Sequence, residues 1–149
     1  MKLKLRLATE NDLLTIFNLS NDSLTRQMSF NQDIIPMHDH RIWFEKILTS
    51  LSTYLYLIEN EDGKVISQVR FDNDGEISVS IAKEFRGKGL AIDIIKLAIN
   101  SVKIPMIVAH VKQENIKMIR VFDNIGFKFD GRAIVKGYEC LRYVYFTGY

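Results

Sequence analysis

One cysteine, Cys140, stands in the whole chain, which excludes an internal disulfide framework and fits a reducing compartment. A lone cysteine in an apolar stretch reads as a small hydrophobe rather than a catalytic thiol. Prolines number 2, and no repeat, low-complexity tract or linker interrupts the 149 residues, so short connections and a single domain spanning 1–149 are expected. No apolar run is long enough to cross a bilayer, and the opening MKLKLRLATEND lacks a signal peptide's apolar middle. A soluble, cytoplasmic protein without membrane partners follows as the expectation. No Lys/Arg run exceeds two, and 20 basic residues are well mixed with 18 acidic ones. The basic patch that nucleic acid would need is therefore missing, while the formal charge of +2 suits small anionic ligands. His38-Asp39-His40 does not make a metal site: residues two apart on a helix point to different faces, no third ligand is evident, and no metal is expected.

What is present is 47% hydrophobic residues, enough for one real core. Lys2–Leu7 alternates basic and apolar residues as a half-exposed strand does, with Leu3, Leu5 and Leu7 directed inward. Thr9-Glu10-Asn11-Asp12 is a capping-box variant that opens a helix running to about Ser20. Asn21–Pro36 has no clean period and reads as a loop. His38–Leu51 then carries Trp43, Phe44, Ile47, Leu48 and Leu51 on one helical face. Tyr54–Glu59 and Lys64–Phe71 form a hairpin turned by Glu61-Asp62-Gly63, and Asp72–Gly75 turns the chain into a strand beginning at Glu76. Met106–Val111 reads as a short apolar strand, Lys128–Asp130 leads to a turn at Gly131, and Tyr138–Tyr149 supplies the last strands. The whole reads as an α/β (α+β) domain.

The stretch Glu76–Val102 organises the rest. Its strand runs into the glycine-bearing basic turn Arg86-Gly87-Lys88-Gly89, and from Leu90 the pattern is helical. A strand, a Gly-rich turn and a helix start form an anion cradle: the first helical N–H groups lack intrahelical partners, the dipole is positive there, and glycines admit a bulky phosphate. A Walker loop would need Ser or Thr after Lys88, where Gly89 stands, and a Rossmann fingerprint would need glycine where Ile92 stands. What remains is Arg-x-x-Gly-x-Ala from Arg86 to Ala91. A second stretch begins at Asn115, places Phe122 two helical turns on, and ends in Gly126-Phe127.

These two motifs, in this order, resemble the coenzyme A loop and later helix of the GNAT superfamily of N-acetyltransferases. The resemblance implies a mixed sheet of six to seven strands flanked by about four helices, with strands 4 and 5 splayed. It implies acetyl-CoA as cosubstrate, its pyrophosphate on Arg86, Gly87, Lys88, Gly89, Leu90 and Ala91, and its thioester carbonyl on N–H groups near Val79 and Ile81. Asn115 would hold the pantetheine arm or sulfur, near Phe122. Glu76 is a candidate base, directly or through water, with Ser78, Ser80 and His110 in a relay. Phe122 stands where many members carry a tyrosine as acid for the thiolate, so Tyr138, Tyr143 or Tyr145 are candidate substitutes.

The letters Asn21, Arg26, Ser29-Phe30, Ile35, His40, Trp43-Phe44 and Gln68-Val69-Arg70-Phe71-Asp72 look like those of acetyltransferases acting on nucleotide-linked amino sugars, the pseudaminic acid pathway type. On that resemblance Arg26 would take the nucleotide diphosphate, Ser29 and His40 would border the acceptor, and Phe30, Trp43 or Tyr138 would stack on base or sugar. Rival readings are acetylation of protein N-termini, as in the ribosomal-protein acetyltransferases, and acetyl-CoA binding without turnover. The partner is then a small-molecule amine, with a homodimer compatible.

Overall fold

The computed structural model describes residues 1–149. The chain runs through β1 (Lys4–Leu7), α1 (Leu13–Ser20), α2 (Ser23–Met28), α3 (Met37–Thr49), β2 (Tyr54–Glu59), β3 (Val65–Phe71), β4 (Ile77–Ile81), α4 (Ala91–Ile99), β5 (Met106–Val111), α5 (Ile116–Ile125), β6 (Lys128–Val135) and β7 (Tyr138–Phe146). No helix is long and apolar enough to cross a membrane. Two antiparallel sheets result, ordered β1-β2-β3-β4 and β5-β7-β6.

The sheets meet at one point. Glu76 and Val108 form a parallel bridge, and Val108 N–H donates to Gly75 O at 3.0 Å. A Cβ on Gly75 would lie 2.5 Å from Met106 O, so this approach requires glycine, as does its φ of +83°. Beyond the bridge β4 and β5 share no ladder and splay apart, as expected. Asp72 N–H donates to Glu76 O and Ala82 N–H to Ile66 O, which fixes the antiparallel alternation along β4. Its even-numbered residues bond to β3, so Ile77, Val79 and Ile81 turn their N–H and C=O groups toward the gap. By the same logic Thr147 N–H to Pro105 O leaves the His110 main chain facing the gap from β5.

Helices cover both faces of the first sheet. Ile94, Ile95 and Ala98 of α4 and Phe122 of α5 bury themselves with Phe71, Ile77, Ile107 and Tyr143, while Ile16 of α1 and Phe44 of α3 pack on Leu55 and Leu57. Each such fully buried aliphatic side chain contributes about 1.5–3 kcal/mol by leaving water, which is why this framework is rigid. The Thr9–Asp12 start is as read: Thr9 N–H donates to Asp12 Oδ2 at 2.7 Å, and Arg6 adds a bidentate pair to the same carboxylate.

Three readings are corrected. Asn21–Pro36 is not all loop, because α2 forms within it, capped by Asp22, which accepts Thr25 N–H at 3.2 Å. A six-residue helix has no independent stability, so nothing periodic announces it. Gly131 is not a turn: β6 continues through it as a bulge against β7 between Phe129 and Arg132, and the reversal comes at Lys136-Gly137. Leu7 is exposed, while Leu3 and Leu5 pack on the core.

Candidate active site

The cradle is built from main chain. Gly87 and Gly89 hold φ of +73° and +72°, and a Cβ on either would meet nothing within 4 Å. Left-handed backbone, not crowding, is what demands glycine at both. None of the N–H groups from Gly87 to Asp93 has an acceptor in the protein, and together they line the N-terminus of α4. Such a run of unspent donors at the positive end of a helix fits a diphosphate. The Arg86 side chain is engaged elsewhere. Its Nε donates to Ile81 O at 3.0 Å, and its Nη2 pairs with Asp22 and reaches Thr25 Oγ1 at 3.4 Å. Burial alone would raise the Asp22 carboxyl, but Arg86 and the Thr25 N–H outweigh it and hold the group below its ordinary value. Arg86 is thus a strut between the cradle and the N-cap of α2. Lys88 is exposed, its Nζ 5.7 Å from the Phe85 ring centroid.

From the bridge at Glu76 and Val108, the parallel register sets Ser78 across from His110 and Ser80 across from Lys112, on the face covered by α1, α2 and α3. His110 Nδ1 lies 2.9 Å from Glu76 Oε1, with the two side chains 17% and 25% exposed. A carboxylate only accepts, so Nδ1 is the donor of this contact. This is a histidine held by an acid where the two sheets part, both side chains partly exposed. Ser78 Oγ accepts from Arg70 at 3.3 Å. Ser80 is buried, and its hydroxyl has no partner.

Several expected acceptor residues are engaged within the protein. Arg26 donates to Ser20 O at 2.7 Å, Asn31 O at 2.9 Å, Asp33 O at 3.3 Å and Ser29 Oγ at 3.2 Å, so its donors tie the end of α1 to the loop after α2. Ser29 itself donates to Thr25 O. His40 is a buried histidine with Nε2 2.9 Å from Leu13 O, and burial pushes it toward the neutral form. Trp43 lies under Arg70, 5.5 Å from ring centroid to guanidinium, and Arg70 also pairs with Asp72. Phe30 and Tyr138 do converge: with Asn31, Gln32, Asp33 and Lys136 they line a cavity of about 410 Å³.

Asn115 caps α5, its Oδ1 accepting Met118 N–H at 3.4 Å. Phe122 is 4% exposed and packs on Phe127 at 4.8 Å between centroids, which places an apolar ring where a tyrosine would offer a hydroxyl. Asp72, Asp74 and Glu76 bring carboxylate oxygens within 4.8 Å of one another, yet each is engaged, by Arg70, Glu76 N–H and His110 respectively. Sequence reasoning passed over Lys112 and Asp22. The strand alternation extended two residues past His110 would have found Lys112; nothing local marks Asp22 as the partner of Arg86.

The fold is shared with solved acetyltransferases. A spermidine N-acetyltransferase from Vibrio cholerae, in complex with CoA and spermine, superposes with a TM-score of 0.88 at 21% identity, over 97% of this chain and 95% of that one. A putative phosphinothricin N-acetyltransferase gives 0.83 at 22% identity, over 99% and 100%. At such identities the likeness speaks for the fold alone. The acetyltransferase (GNAT) domain family matches residues 2–128, and with the splayed strands and the main-chain cradle in place the chain belongs to that family, as an acetyl-CoA-dependent N-acetyltransferase.

Proposed function

We propose that the protein acetylates the primary amine of a nucleotide-linked amino sugar by direct attack of that amine. Acetyl-CoA supplies a thioester whose carbonyl carbon takes the amine nitrogen as the carbon–sulfur bond breaks. The inward-facing N–H groups of Val79 and Ile81 are the preorganised donors for the carbonyl oxygen, a role that needs no side chain. His110 Nε2 takes the proton that the nitrogen must lose, and Glu76 holds the ring in that tautomer and steadies its charge. Ser78 and Ser80 flank the path on β4. No acid is required at position 122, because a thiol with pKa about 8.5 leaves as thiolate at modest cost.

The observation that carries the transfer reading is the Glu76–His110 pair at the fork of β4 and β5, beside unspent strand amides. The choice of carrier rests on the cavity of about 410 Å³ lined by the loop after α2 and the β6–β7 turn. Phe30 and Tyr138 offer rings for a base or sugar, Lys136 and the Lys112 ammonium under Tyr138 offer positive charge, and Asp33 is the one carboxylate in the lining. A polycation would want several carboxylates there; an anionic carrier is attracted.

Free thiol release, followed with acetyl-CoA and a panel of amines, is the test. Nucleotide 4-amino sugars should be turned over, and spermidine and N-terminal peptides should not. Turnover of peptides alone would move the assignment to protein N-termini, and tight CoA binding without turnover of any amine would make this a binding domain.

A further inference from the structure

Lys112 is 4% exposed, yet no carboxylate pairs with it. Its Nζ donates to Gln27 O at 3.2 Å, in the last turn of α2, and sits 4.6 Å from the centre of the Tyr138 ring. An ammonium has three donors, and one carbonyl with one π face leaves a donor direction unspent. Burying a charge is costly unless it is paired, and no carboxylate pairs with this one, so an anionic oxygen reaching it would offset that cost. Tyr138, which it touches, also lines the cavity of about 410 Å³. Across the widening gap the register sets Ser80 opposite Lys112, and Ser80 carries the only buried side-chain polar atom without a partner. Two buried polar groups with unspent bonding capacity, one of them charged, thus lie on the facing strands where the sheets part.

We infer that Lys112 is the counter-ion for an anionic oxygen on the amine-bearing substrate, and that it selects acidic amine carriers over polyamines. The identification of that oxygen as a phosphate of a nucleotide rests on the function proposed above; the site itself does not. Arg26, whose donors are engaged by the end of α1 and the loop after α2, is thereby replaced as the acceptor's cation. Tyr138 then serves as the wall that positions both the ammonium and the ligand.

The experiment uses the full chain saturated with CoA and titrates UDP as the probe by calorimetry, in wild type, Lys112→Met and Lys112→Arg. Methionine keeps the length and removes the charge, so the fold should survive, and unchanged CoA affinity checks that it does. Loss of one charge-assisted hydrogen bond predicts about 10- to 150-fold weaker UDP binding in Lys112→Met, with partial recovery in Lys112→Arg. With a nucleotide amino sugar the same factor should appear in KM, with kcat changing less. Equal UDP affinity in wild type and Lys112→Met, or no UDP binding by wild type, overturns the inference; so does a lowered melting temperature with KM unmoved, which would make Lys112 a cap for α2 alone. Should UDP bind through Lys112 while no nucleotide amino sugar is acetylated, the anion site stands and the proposed substrate falls.

Discussion

Replacing Gly89 with alanine isolates what the cradle loop contributes. The added methyl meets no atom within 4 Å, so the cost comes only from holding a non-glycine residue at φ +72°. For an L-residue that conformation costs roughly 1–2 kcal/mol. A thermodynamic cycle divides this cost between two readouts. If the variant loop keeps its shape without ligand, stability falls by about that amount; if it relaxes, CoA binding must restore the shape and weakens by about 5- to 30-fold. The sum over both is the prediction, and a phosphate approaching the new methyl can only add to it. Gly63 provides the control, since it has φ +77° and the same open surroundings but lies in the β2–β3 hairpin. Gly63→Ala should lose similar stability and leave CoA affinity unchanged. Urea denaturation and calorimetric titration with CoA measure the two terms. A Gly89→Ala protein with unaltered midpoint and unaltered CoA affinity would refute the claim that this loop works through left-handed backbone.

Glu76→Gln and His110→Ala should each lower kcat/KM by about 10²–10⁴ at constant CoA affinity, and the double variant should fall little further, because the pair acts as a unit; full activity in Glu76→Gln would remove the pair from the chemistry. His40 is held below its ordinary value of 6.5, first by burial, so the unfolded chain binds the proton more readily, and stability should decline as pH drops below about 6.5. That decline between pH 7 and 5 should be absent in His40→Gln, as urea midpoints will show. Asp12 and Asp22 are depressed below 3.8, Asp12 foremost by Arg6, so their contribution is complete above about pH 4 and fades as acid protonates the folded carboxylates. Cys140 is 1% exposed and its thiol is pushed up, first by burial and next by Glu76. A thiol reagent at pH 8 should therefore label it only after denaturation, with activity intact beforehand, and rapid labelling of active protein would contradict the packing of β7.

Local rules were enough for much of the molecule. The Arg86–Ala91 loop, the helix after it and the α5 segment from Asn115 to Gly126 are each set by neighbours within a few residues: glycines that accept positive φ, a capping asparagine, an apolar stripe at helical spacing. Those signals are written in the letters, and the main-chain cradle follows from them. Pairing partners far along the chain decided the rest. β6 runs through Gly131 because β7 supplies its ladder, and α2 exists because Asp22 caps it and Arg86 holds that carboxylate from 64 residues away. Arg26, His40 and Trp43 have the chemistry of ligands, but the helices turn them onto carbonyls, core and a neighbouring guanidinium. Conversely Glu76 and His110, 34 residues apart, meet only because Gly75 lets two sheets touch once and then part. Residue type determined what each group can do; where the sheets diverge determined which groups face the opening, since burial and unpaired edges belong to the assembled fold and not to any segment.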